Sequence, residues 1–436
     1  MKTFPSPEAL RRFPFGMADL AVMLGMFMLL ALVARLGAGA LVSFDPPQVV
    51  PNVDLAPGNL PYYAGRSTLR MFIALFFSTL FTLVYGYVAA NNRWAERVMI
   101  PLLDILQSVP VLGFLSITVT GFIALFPGSL LGLEAASIFA IFTSQVWNMT
   151  FSFYQSLRTV PMELREAATL YQLSRWQRFT TLEVPSAVIG LLWNAMMSFG
   201  GGWFFVVASE TISVLNQSYT LPGIGSYVAA AIADENLVAL GWAFLAIEIV
   251  ILLVDQLFWR PLIAWSDKFR MEQSALAAAP ESWVYNLLQT ARIPRMLGNC
   301  LTPATEAMNR LLSRLSRSRS SLRVETTLSP QYDRLYTLIL LLIIGVLLAW
   351  ALHWIMTTVG LGEVFKTFGL GILTLLRVNL LLLFATAIWT PVGVAIGFNR
   401  LILNWPALCS PWCSSWPPFP PTLFFPLPPY FSCGVT

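Results

Sequence analysis

Charge is scarce in this chain: of 436 residues only 11% are Asp, Glu, Lys or Arg, and there are one histidine and four cysteines. The three lysines are Lys2, Lys268 and Lys366, and none follows a glycine. A phosphate-cradling loop ends in Gly-Lys-Ser/Thr, so no nucleotide hydrolase of that kind is fused into the chain. Cys300 lies in a polar stretch and Cys409, Cys413 and Cys433 in the last one, a distribution that indicates neither a metal site nor a disulfide framework. The lone His353 sits in an apolar run without an acidic neighbour, which favours a packed or interfacial side chain over a proton relay. No cluster of His, Cys and carboxylates and no nucleophile–base pair is legible on the loops, so no catalytic or metal-ligating residue is assigned.

What is abundant is apolar: 57% of residues are hydrophobic and the mean hydropathy is +0.69, which points to a polytopic membrane protein. Runs of roughly 20 residues suffice to cross the hydrocarbon core as helices. Eight are read, over residues 20–41, 71–90, 98–126, 135–154, 187–209, 237–254, 335–359 and 378–398. They are continuously apolar rather than alternating, so the expected fold class is all-α and not a barrel. The first run follows Lys2, Arg11 and Arg12 and precedes Ala38-Gly39-Ala40, as in a signal peptide, but its length favours a retained span.

With the N-terminus in the cytoplasm, Arg93, Arg97, the arginines between 158 and 178 and the region after Trp259 all fall on the cytoplasmic side, as the positive-inside rule asks. The outer loops 128–134 and 216–236 carry Glu134, Asp234 and Glu235 and no Lys or Arg. Residues 260–334 turn polar, with eleven basic and six acidic residues, and read as a cytoplasmic linker whose basic run meets lipid headgroups or only fixes topology, rather than binding nucleic acid. Sliding the chain on itself aligns 70–93 with 377–400 without gaps, with seven identities that include Arg70/Arg377, Thr79/Thr386, Gly86/Gly393 and Asn92-Arg93/Asn399-Arg400. Six spans separate the copies, so the repeat is parallel, unlike the inverted repeats of many secondary transporters.

The most informative segment, residues 159–185, reads as two short helices in a cytoplasmic loop. Pro161 suits a helix start, and Glu163 and Glu166 suit its positive end. Leu164, Ala167, Ala168 and Tyr171 fall on one face. Ser174 with Gln177 makes a capping box for the second helix, which Pro185 is expected to end. Glu166-Ala167-Ala168, followed at fixed spacing by Val184-Pro185, resembles the EAA loop of binding-protein-dependent ABC importer permeases, in their nitrate/sulfonate/taurine branch. The resemblance covers about 69–270 and implies a MetI-like core of five helices preceded here by an extra N-terminal helix.

It further implies a coupling helix that sits in a groove of an ABC ATPase subunit, carried by Glu163, Glu166, Ala167, Ala168, Gln172, Arg175 and Pro185. ATP and Mg are bound by those partner chains and no cofactor by this one. Other implied partners are a periplasmic or lipid-anchored solute-binding protein and a second permease module or homodimer partner, in a bacterial inner membrane. The solute is expected to be a small oxyanion such as nitrate, a sulfonate or taurine, or bicarbonate. The chain departs from the family pattern at Gln172, where glycine is usual. A turn needing positive φ would be strained there, although Ser174 can start the next helix without one.

For the translocation path the candidates are Asn148, Asn194, Gly201, Trp203, Glu210 and Asp104. Gln145-Val146-Trp147-Asn148, Trp193-Asn194 and Gly200-Gly201-Gly202-Trp203 also resemble this branch, and the glycines fit either a packing surface or a path-lining segment. Asp104, Glu210 and Glu248 are intramembrane charges, with Arg70 at a span edge. Glu210 and Arg70, placed at outer ends of spans, fit either headgroup contact or function, and Asp104 either a structural pair or a solute contact. A secondary transporter and a non-transporting scaffold remain as alternatives.

The expected organisation is an N-terminal helix and external loop (1–68), a permease domain (69–270), a basic linker (271–334), the start of a second permease module (335–400) and a Pro/Cys-rich tail (401–436). The uncharged tail carries nine prolines, a density no membrane helix tolerates. It looks like a change of reading frame in a two-module permease, the alternative being a genuine disordered Pro-rich tail.

Overall fold

Long apolar runs bounded by capping residues and prolines become long helices. The computed structural model describes residues 17–39, 53–109, 111–214, 217–269, 282–315, 330–358 and 360–398. It divides into two units, Met1–Leu322 and Arg323–Thr436. The 401–436 tail, with Cys409, Cys413 and Cys433, lies outside the described residues.

In the first unit α1 (Met17–Ala38) precedes α2 (Leu60–Asn91), α3 (Arg93–Ser108), α4 (Val111–Leu125) and α5 (Leu131–Arg158). Two short helices follow, α6 (Met162–Leu170) and α7 (Arg175–Arg178), then α8 (Val184–Glu210). An antiparallel hairpin of β1 (Thr211–Val214) and β2 (Gln217–Thr220) pairs Thr211 with Thr220 and Val214 with Gln217. After it come α9 (Ile224–Ala233), α10 (Leu237–Val254), α11 (Arg260–Ser266), α12 (Trp283–Thr290) and α13 (Ile293–Leu315). The second unit holds α14 (Pro330–Thr358) and α15 (Leu361–Phe398), joined through Gly360 at φ +82°. Apart from the hairpin the described chain is helical, an all-α polytopic architecture.

Six helices among the described residues are long and apolar enough to cross a membrane, against eight runs read from sequence. The run at 98–126 breaks at Val109, whose ψ of 124° is extended. Pro110 follows it in sequence, and a proline disfavours helical geometry in the residue before it. The run at 135–154 lies inside α5, but Ser137, Thr143, Gln145 and Thr150 make that helix too polar to rank with the six. These four side chains are buried, because α5 lies between α2, α4 and α8 and meets helices rather than lipid.

The core is therefore α2, α5 and α8. Met71, Ile141, Met149, Phe153 and Phe199 are buried in it together. Lipid is as apolar as these side chains, so close fit rather than expulsion from water holds the helices together. A methyl on Gly86 would lie 2.6 Å from the Phe153 ring, and Thr82–Thr150 and Ser137–Ser209 hydroxyl pairs at 3.1 and 2.8 Å bridge the seams. Asn92 ends α2 in an extended conformation and caps α3, accepting from the Trp94 and Ala95 N–H groups at 3.0 and 3.4 Å. The basic linker, to which the sequence assigned no helix, contains α12 and α13.

Candidate functional site

The two-helix loop forms with a feature the sequence did not require. At the end of α6 the Leu173 N–H donates to Ala168 O at 3.0 Å and the Gln172 N–H to Thr169 O at 2.9 Å, with Gln172 at φ +51°. These are the two bonds of a Schellman cap, in which the residue just past the helix turns left-handed. The expectation that Ser174 could start α7 without a positive φ is corrected: the turn uses one, and glutamine adopts it. The Ser174–Gln177 capping box is present, with Gln177 N–H donating to Ser174 Oγ at 3.2 Å and Ser174 N–H to Gln177 Oε1 at 2.9 Å.

Pro185 does not end the second helix. The chain runs through a π turn at Phe179–Glu183 directly into α8, where Pro185 occupies the first turn. A proline ring collides with the carbonyl four residues earlier in an α-helix, and the wider π turn falls where that collision would occur. The single apolar face expected for the first helix is also split. Ala168 is buried and Ala167 half-buried, while Tyr171 is 81% and Leu170 83% exposed. Met162, Glu163, Glu166, Gln172 and Arg175 are exposed as well. Arg165 holds α6 to the end of α5, its Nη2 donating to Leu157 O at 2.5 Å. Burial and the neighbouring Arg178 push its pKa down.

A polar groove of about 390 Å³ opens beside this loop, lined by Asn148, Phe151, Ser152, Gln155, Ser156 and Thr159 of α5 with its cap, and by Asn194 of α8. The α5 positions recur at helical spacing on one face. Gly190 lets α8 come close, since a Cβ there would sit 3.2 Å from Ser152 Oγ and 3.3 Å from Ser156 Oγ. The lining carries amides and hydroxyls and no ionised group, and Thr159 at its mouth is three residues from the start of α6.

Of the path candidates, only Asn148 and Asn194 line this groove. Gly201 lies on an exposed face of α8 with open space around it. Trp203 packs partly buried against the core instead. Asp104 is exposed on α3 and accepts from Gln107 Nε2 at 3.1 Å, a local pair.

Glu210 and Arg70 do not face headgroups but are fully enclosed. Arg70 donates through Nε and Nη2 to Glu134 at 2.6 and 2.8 Å, through Nη1 to Glu210 at 2.6 Å and through Nη2 to Pro222 O at 3.0 Å. Arg66 adds a bond to Glu134, Ser67 one to Glu210, and the Gly225 N–H donates to Glu210 Oε2 at 2.6 Å. Two arginines and two glutamates thus close a neutral cluster joining α2, α5, α8 and the start of α9. Sequence reasoning placed Glu134 in an outer loop and missed it as a partner. The available signal was opposite charge at matching depth in three neighbouring runs.

The described residues thus form a helical core with an enclosed charge cluster at one end, a polar groove towards the other and a two-helix element that follows the groove-lining end of α5. Residues 66–258 match the model of the binding-protein-dependent transport system inner membrane component family, so that segment is similar to the membrane subunits of such transport systems. Curated relatives include the nitrate import permease protein NrtB of Synechocystis sp., 22% identical over 190 residues, 44% of this chain and 64% of the relative. The bicarbonate transport system permease protein CmpB of Synechococcus elongatus is 21% identical over 184 residues, 42% of this chain and 60% of the relative. The chain thus spans less than two thirds of the length of either relative.

Proposed function

We propose that the chain is the translocating subunit of an ABC importer for a small oxyanion, driven by ATPase subunits that dock on α6 and α7. The observation that carries this reading is the exposure of Glu163, Glu166, Leu170 and Tyr171 on and just after a helix that begins three residues beyond the groove-lining Thr159. A partner holding α6 would move the end of α5, to which Arg165 binds α6, and with it Thr159 and Gln155 of the groove. ATP and Mg belong to the ATPase partners, and a periplasmic or lipid-anchored binding protein delivers the solute. Neutral amide and hydroxyl donors suit an anion that must also leave, since an enclosed cation would hold it. Relatives named for nitrate and bicarbonate import support that solute class.

Exchanging Glu166→Lys, or filling Ala167→Trp, is expected to abolish solute-stimulated ATP hydrolysis in reconstituted transporter while membrane insertion is unchanged. Full stimulation in both variants would overturn the coupling role.

The reading puts the N-terminus, α6, α7 and α13 on the cytoplasmic side, which the arginine distribution supports. Cys300 is exposed on α13. With the tail cysteines replaced by serine, it is expected to resist an impermeant maleimide in intact cells and to react once the membrane is opened. Labelling in intact cells reverses the topology.

A further inference from the structure

Beside the permease core, at the end of the membrane span Leu237–Phe269, lies a groove that neither solute transport nor ATPase coupling uses. Its volume is about 800 Å³, and Leu257, Phe258, Leu262, Trp265 and Leu288 furnish most of an apolar lining. Lys268 stands at the rim. Its ammonium lies 4.1 Å from the Trp265 ring centroid and 4.8 Å from that of Phe269, and no carboxylate pairs with it among the described residues. We infer that this groove binds an anionic phospholipid, an acyl chain lying on Leu257, Phe258 and Leu288 and the headgroup phosphate on Lys268.

Three observations place the groove at headgroup level. The Arg292 and Ile293 N–H groups donate to Asp19 Oδ1 at 2.6 and 3.1 Å, which fixes the start of α13 to the first turn of α1, itself a candidate span. Sixteen residues further along α13, Asn309 Oδ1 accepts from Trp176 Nε1 at 3.0 Å, and Trp176 stands at the start of the span Arg175–Glu210. The two anchors, about 24 Å apart along one helix, hold α13 at the start of α1, one edge of the bilayer, and at α7 in the two-helix loop. Pro294, in the first turn of α13, lines the groove, so its mouth opens at that edge. Trp265 and Tyr285 on its walls are the residue types that settle at the interface. An apolar cleft ending in a single ammonium at that depth fits a chain with an anionic head. A free phosphate would leave the cleft unfilled.

The test uses full-length protein, exchanged into detergent with equimolar phosphatidylglycerol and phosphatidylcholine of identical chains, and native mass spectrometry of the retained lipid. Wild type is expected to retain phosphatidylglycerol about five-fold over phosphatidylcholine, the preference one lysine near a headgroup confers. Lys268→Gln should remove the preference and leave total lipid retention intact, whereas Leu288→Trp, which fills the cleft, should lower retention of both. Lys268→Gln is a mild exchange at the end of a span, and its unfolding midpoint serves as the control for folding. Equal retention of the two lipids by wild type, or an unchanged preference in Lys268→Gln, overturns the site. So does displacement of the lipid by inorganic phosphate alone, or protection of the groove only when an ATPase subunit is bound. None of these outcomes bears on the coupling role of Glu166.

Discussion

Gln172 occupies a left-handed conformation that costs an L-residue about 1–2 kcal/mol and glycine almost nothing. Its two backbone bonds, through its own N–H and that of Leu173, close the end of α6. Replacing Gln172→Gly should therefore tighten the loop. The Leu173 amide is expected to exchange with deuterium about five-fold more slowly, the equivalent of about 1 kcal/mol, while Gln172→Val should accelerate it. An unchanged rate in both variants would mean that the turn does not limit local opening. Glu235 repeats the device at the end of α9, with φ +51° and bonds from Glu235 N–H to Ile232 O and Asn236 N–H to Ala231 O at 3.1 and 2.9 Å. Sequence alone left this unsettled because side-chain caps such as Ser174 announce themselves by residue type, whereas a backbone cap is announced mainly by glycine. Where glutamine takes the position, the usual sign is missing although the hydrogen bonds are the same.

Elements are joined by contacts that hydropathy does not encode. Runs of apolar residues located α2, α8 and α10, and the capping box located α7, since each depends on neighbours in sequence. The partner of Arg70 does not: Glu134 and Glu210 lie 64 and 140 residues away in sequence. Read singly, Arg70 and Glu210 fitted either headgroup contact or function at a span edge and Glu134 fell in an outer loop, and only the packing of α2 against α5 and α8 brings them together with Arg66. The cluster is costly to unbalance. Removing one member of a buried ion set leaves its partners charged and unpaired, at about 3–5 kcal/mol. Arg70→Met is accordingly expected to lower the unfolding midpoint in detergent sharply, and Arg70→Met combined with Glu210→Gln to recover part of the loss, because the second exchange removes a charge that the first stranded. Equal midpoints for the single and double variants would show that Glu210 does not depend on Arg70. Gly225 belongs to the same junction, since a Cβ there would lie 2.6 Å from the Val207 backbone, so the start of α9 seats against α8 only with glycine.

At the scale of the molecule, the groove that holds Asn148 and Asn194 is a single wall, open on one side. Along α8 next to it, Trp193, Met197, Gly200, Gly201 and Phe204 are all exposed, at the helical spacing that puts them on one stripe. A Cβ on Gly200 or Gly201 would meet nothing within 4 Å, so packing among the described residues does not require glycine at either position. Glycine at a bare stripe of a membrane helix is what a second helix needs for close approach. A second permease core, supplied by another copy, would cover the stripe and turn the open groove into an enclosed path. In a two-fold assembly the same residues of both copies meet at the axis, which gives the arrangement a direct chemical test. With Cys300, Cys409, Cys413 and Cys433 replaced by serine, Gly201→Cys is expected to form a disulfide-linked dimer in membranes under mild oxidation. Gly25→Cys, on α1 and equally free of neighbours, should remain monomeric. Solute competing for the path should slow the Gly201→Cys cross-link and leave the Gly25→Cys pattern alone. Dimer formation at Gly25 with none at Gly201 would mean that copies meet through α1, and the groove would then need another wall.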